Sequence, residues 1–88
     1  MINVALLGFG RIGQMHAQNI YLNKTLNLLY VYEKIDKLRK KAKNLYNCKI
    51  EKNYKKIFSD EKVDIIFISS PTNTHIRFIE EGIKYNKT

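Results

Sequence analysis

Gly8-Phe9-Gly10-Arg11-Ile12-Gly13 sets three glycines at the spacing G-x-G-x-x-G, and Glu33 stands 20 residues beyond the last of them. A glycine at position 8 permits a tight turn, one at 10 lets the backbone approach a pyrophosphate, and one at 13 lets a helix pack closely on a strand. The first amides of a helix opening here, with the positive end of its dipole, would hold the diphosphate, and Arg11 could add a cation. Glu33 could accept hydrogen bonds from both hydroxyls of an adenosine ribose, whereas a 2′-phosphate there would meet like charge. NAD is therefore favoured over NADP, although Lys34 is a cation that would partly compensate a phosphate, unless it is simply solvated. Taken alone, the triplet also fits a plain strand-turn-helix loop; the acidic residue at this distance makes it a fingerprint.

A second polar cluster, Ser69-Ser70-Pro71-Thr72-Asn73-Thr74-His75, follows an apolar run. At the carboxyl edge of a parallel sheet, the hydroxyls and amide of this segment could touch the nicotinamide end of a cofactor. The same residues fit a capped helix start, with Thr72 or Thr74 as the cap. His16 reads as a packing residue. His75 is better placed, but no acid or nucleophile accompanies it to complete a catalytic arrangement. Cys48 is the single cysteine, which excludes an internal disulfide and a Cys-rich metal site; a small buried thiol in a reducing compartment is expected.

The elements that must position these groups follow from periodicity. Ile2 to Leu7 is a short apolar run ending at Gly8, the pattern of a strand buried on both faces. Ile12, Met15, His16, Ile20 and the Tyr21/Leu22 pair recur at helical spacing up to Asn23 and Lys24. Leu28 to Tyr32 predicts a second strand. Lys34 to Asn47 predicts an amphipathic helix with Ile35, Leu38, Ala42 and Leu45 on its apolar face. A short strand over Lys49 to Lys52 and one helical turn over Tyr54 to Phe58 come next. Val63 to Ser69 is the second strong apolar strand. After the bend at Pro71, Ile76, Ile79 and Ile83 predict a helix facing a core. Alternating strands and helices imply right-handed crossovers, hence a Rossmann-type α/β parallel sheet with helices on both faces and strand order 3-2-1-4. Such a sheet would continue past Thr88, so residues 1 to 88 are expected to be an incomplete nucleotide-binding domain, without the substrate domain.

Eighty-eight residues with 44% hydrophobic content suit one small domain. The net charge of +8 is carried mostly by dispersed lysines, without the arginine forks that read bases, so nucleic acid is not expected as a partner. No apolar stretch approaches the roughly 20 residues needed to span a bilayer. The first residues lack a basic leader and a cleavage site, so a cytoplasmic protein with no membrane association is expected.

Together, Gly8 to Gly13 followed by His16, the acidic Glu33, and Val63-Asp64 leading to Ser70-Pro71-Thr72 and His75 resemble the glucose-fructose oxidoreductase, inositol dehydrogenase and rhizopine catabolism (Gfo/Idh/MocA) family. The resemblance covers the whole chain, and Gly10 to His16 looks most like the inositol 2-dehydrogenase branch. It implies an NAD(P)-dependent dehydrogenase, a homo-oligomer when whole, that moves hydride between nicotinamide and a hydroxyl of a sugar or cyclitol such as myo-inositol. Cofactor-binding residues would be Gly8, Phe9, Gly10, Arg11, Ile12, Gly13, Glu33, Lys34, Ser70, Pro71, Thr72, Asn73 and His75. The family's Glu-Lys-Pro motif and its catalytic Asp and His are not found among these residues, so none is assigned a catalytic role and the piece alone is expected to be inactive. The alternative from another class is a regulatory Rossmann module that senses NAD without chemistry.

Overall fold

The computed structural model describes residues 1–70 and 75–88, apart from the side chain of Ile76. Its order is β1 (Ile2–Leu7), α1 (Arg11–Leu22), β2 (Leu26–Tyr32), α2 (Asp36–Tyr46), β3 (Lys49–Glu51), α3 (Tyr54–Phe58), β4 (Ile65–Ile68) and α4 (His75–Lys84). The four strands form one parallel sheet in the order β3-β2-β1-β4, as the alternation of elements predicts. β1 lies at the centre, paired on both sides, so Val4, Ala5, Leu6 and Leu7 are all buried. That explains a continuous apolar run in place of alternation.

The two faces of the sheet carry separate cores. On one, Val4, Leu6 and Val31 pack with Ala17 and Ile20 of α1, Ala42 of α2 and the thiol of Cys48. On the other, Ala5, Leu7, Tyr30 and Tyr32 pack with Ile57 and Phe58 of α3 and Phe78 of α4. The free cysteine is buried, as expected.

The helix faces differ from their sequence-based reading. The buried stripe of α1 is Gly13, Ala17 and Ile20, while Ile12, Met15, Tyr21 and Leu22 are exposed. In α2, which starts at Asp36 and not at Lys34, Ala42 is buried and Leu38 and Tyr46 are half-buried, while Leu45 and the N-cap residue Ile35 stay exposed. In α4, Phe78 and Gly82 face the core and Ile79 and Ile83 do not; Ile76 lies outside the described side chains. The common reason is proximity. A helix lying close on a sheet can put only small side chains, or one well-aimed ring, at the line of contact, and larger apolar residues are displaced to its flanks.

β4 is also shorter than the run Val63 to Ser69 suggests. Val63 is buried ahead of the strand, and Asp64 instead ties the strand entrance to β1: its carboxylate accepts from the Asn3 amide at 2.8 Å and its amide donates to the Asn3 carbonyl at 2.9 Å. Among the described residues β1 is the strand that β4 pairs with, and the β4 residues are half-buried or, at Phe67, exposed.

Candidate functional site

The turn between β1 and α1 sits at the carboxyl edge of the sheet and lines an open groove of about 400 Å³ with Gly8, Gly10, Arg11, Ile12, Gly13, Glu33, Ile35, Leu38, Ser69 and Ser70. The three glycines have different physical reasons. Gly8 has φ +108°, a region L side chains rarely adopt, and a Cβ there would lie 2.8 Å from the backbone of Ser69 and Ser70. A Cβ on Gly13 would run into the carbonyl oxygen of Gly8, with the carbonyl carbon at 2.8 Å. Both glycines are thus required by the fold. Gly10 is not: its φ is −73°, its ψ −165°, and a Cβ would meet nothing within 4 Å. A side chain there would project into the groove.

Gly10 is the N-cap of α1, and the first turn carries no acidic residue. The first helical hydrogen bond runs from the Gln14 amide to the Gly10 carbonyl at 2.9 Å. The amides of Arg11, Ile12 and Gly13 precede it and find no acceptor one turn back, so the positive end of the helix faces the groove. Arg11 and Ile12 are exposed beside it.

Glu33 stands across the groove, immediately after β2, with both carboxylate oxygens fixed by backbone amides. Oε1 accepts from Phe9 at 2.8 Å and Oε2 from Ile35 at 3.1 Å. Each oxygen keeps a further lone pair for an incoming donor. Phe9 contributes only its backbone, because its ring is fully buried in the core, edge-on to Tyr46 at 6.4 Å. Lys34 is exposed.

Sequence reasoning passed over two residues that hold this arrangement. Gln14 donates from Nε2 to the Phe9 carbonyl at 3.2 Å and is in turn held by Lys41 at 2.8 Å. Arg39 donates to the carbonyls of Glu33 at 2.7 Å and Lys34 at 2.9 Å, and to the Asp36 carboxylate at 2.9 Å. Lys40, and then Arg39, hold the Asp36 carboxyl below its usual range. The spacing of Asp36 and Arg39, three residues apart on a helix, was the available signal.

On the β4 side, the Ser69 amide donates to the Leu7 carbonyl at 2.8 Å, which brings that loop against Gly8. The ring of His75, the first residue of α4, lies 2.6 Å through Nε2 from the Ser70 carbonyl. A carbonyl only accepts, so Nε2 carries the proton. Pro71, Thr72, Asn73 and Thr74 lie outside the described residues. His16 packs on Phe67 with ring centroids 4.6 Å apart, which is the packing role expected of it. Among the described residues, no group of three or more His, Cys, Asp or Glu could hold a metal ion, and no helix is long and apolar enough to cross a membrane.

The family described as "Oxidoreductase family, NAD-binding Rossmann fold" (Gfo/Idh/MocA) matches residues 2–88. The chain is 30% identical over 88 residues to myo-inositol 2-dehydrogenase of Thermotoga maritima, an alignment covering 98% of this chain and 26% of that protein. Its fold superposes on myo-inositol 2-dehydrogenase from Lactobacillus plantarum with a TM-score of 0.93 at 25% identity, over 99% of this chain and 26% of the other. It also matches scyllo-inositol dehydrogenase from Lactobacillus casei, solved with NAD(H) and scyllo-inositol, with a TM-score of 0.92 at 24% identity over 99% and 26% of the two chains. The chain thus spans about a quarter of the length of these relatives.

Proposed function

Because the chain belongs to the Gfo/Idh/MocA family of oxidoreductases with an NAD-binding Rossmann fold, we propose that its groove binds NAD as the nucleotide-binding part of a dehydrogenase acting on a sugar or cyclitol hydroxyl. The observation that supports this reading is the contrast among the glycines: Gly8 and Gly13 are demanded by packing, whereas at Gly10 a Cβ would meet no atom within 4 Å, so the groove is open there for a ligand lying against the backbone.

The chemistry supplied by bound NAD would be hydride acceptance at the nicotinamide ring. This chain's own residues bind and orient. The free amides of Arg11, Ile12 and Gly13 donate to the diphosphate, and Arg11 adds a positive charge beside it. The Glu33 carboxylate, already held by the Phe9 and Ile35 amides, accepts from the ribose hydroxyls without a conformational search. It also disfavours a 2′-phosphate, so NAD is preferred over NADP. Ser70 and His75 would lie toward the nicotinamide end, where the His75 ring fastens the start of α4 to the Ser70 carbonyl. For the whole protein, the inositol dehydrogenases among its relatives favour a cyclitol substrate.

Calorimetric titration with NAD tests the assignment. Glu33→Ala removes a charged acceptor, a loss of about 1.5–3 kcal/mol in binding. Unchanged affinity would remove Glu33 from the ribose site.

A further inference from the structure

Glu33 discriminates between ribose and phosphorylated ribose only if its carboxylate cannot turn away, so what holds the β2–α2 turn rigid bears on cofactor choice. Three acceptors of that turn converge on one side chain. Arg39 reaches back from α2 to the Glu33 and Lys34 carbonyls through one terminal nitrogen and to Asp36 through the other, at 2.7–2.9 Å. Its side chain is only 13% exposed, whereas that of Asp36 is 66% exposed. The turn so fastened includes the Ile35 amide, which holds Glu33 Oε2.

We propose that Arg39 is a positioning residue that sets the preference for NAD over NADP: by clamping the Glu33 and Lys34 carbonyls and Asp36, it fixes the Ile35 amide and through it the Glu33 carboxylate against the ribose. The same bonds keep its own charge from a 2′-phosphate, because the guanidinium is turned into the loop and matched by Asp36. An arginine at such a place would ordinarily suggest a phosphate ligand; here its donors are directed to the backbone. The proposal rests on the reading of the groove as an NAD site.

The test compares binding of ADP-ribose and its 2′-phosphate to the 88-residue chain, with circular dichroism as the control for folding. The unaltered chain should favour ADP-ribose. Arg39→Gln should shift the ratio of the two affinities toward the phosphorylated ligand by about tenfold, the scale of one charge-assisted hydrogen bond. Arg39→Lys should shift it similarly, because an ammonium keeps the charge but cannot span the three acceptors. In a Glu33→Gln background, Arg39→Gln should change the ratio no further. Asp36→Asn, at an exposed position, should give a smaller shift in the same direction, and decides the matter should the Arg39 variants not fold. A ratio unaltered in the folded variants, or shifted equally with and without Glu33, would overturn the clamp while leaving the groove an NAD site. Failure of the unaltered chain to bind either ligand would overturn the underlying assignment, and the clamp with it.

Discussion

At the scale of single residues, glycines that look equivalent in a motif have separable duties. Gly13→Ala drives a methyl into the Gly8 carbonyl and should lower stability by about 1–3 kcal/mol or more, the range of overpacking, read from denaturant unfolding. Gly10→Ala meets no atom and gives up only the N-cap preference for glycine, so it should cost less, about 0.5 kcal/mol. An equal loss at both positions would mean that Gly10 is a packing glycine too. The sequence showed which residues gather here, because glycine spacing and one acid at a fixed distance follow from how a dinucleotide must lie. It did not show how Glu33 is held. Arg39 occurs in a lysine-rich helix and reads there as one more solvated cation, and the Phe9 amide that Glu33 engages leaves no trace in a side-chain pattern.

At the scale of elements, strands were more legible than helix faces. A central parallel strand such as β1 must be apolar throughout, so its bounds can be read directly. In α1 and α2 the expected Ile20 and Ala42 are buried, but Gly13 and Ala17 make the rest of the contact while Ile12, Met15, Ile35 and Leu45, to which a hydrophobicity pattern gives weight, are exposed. Aromatic anchoring on the other face was equally hidden: Phe78 packs among Tyr32, Tyr54 and Phe58 at ring separations of 5.3–6.3 Å. Phe78→Ala should cost about 3–5 kcal/mol, seen as an earlier urea midpoint; a loss under 1 kcal/mol would mean that α4 is not anchored there. A polar tie joins β2 to the end of α3, where the Tyr30 hydroxyl donates to Asp60 at 2.7 Å. Burial first, and then Asp60, push the Tyr30 hydroxyl up to about 12, while Tyr30 holds the Asp60 carboxyl below its ordinary value. Since Asp60 is depressed in the folded state, the stability it lends is present above the unfolded carboxyl pKa and is lost as pH falls through the folded one. Tyr30→Phe should raise the Asp60 pKa toward 3.8, observable by NMR titration. An unmoved Asp60 would deny the coupling.

At the scale of the whole molecule, two well-packed faces adjoin one open flank. Ile66 and Ile68 of β4, with Ile79 and Ile83 of α4, line an apolar hollow that continues to Lys87 and Thr88. The Thr88 carbonyl accepts from the Ile66 amide at 2.6 Å on the side of β4 away from β1. An apolar strand edge of this kind invites association, and the 88-residue chain should sediment as a concentration-dependent mixture that Ile83→Lys shifts toward monomer. A monomer at all concentrations would show the flank to be inert. Whether the room at Gly10 serves a cofactor is decided by NAD titration of the chain beside Gly10→Val. Saturable binding by the first and none by the second, with matching circular dichroism, is expected; a folded Gly10→Val chain that binds NAD as tightly as the unaltered one would make the glycine loop a structural turn only.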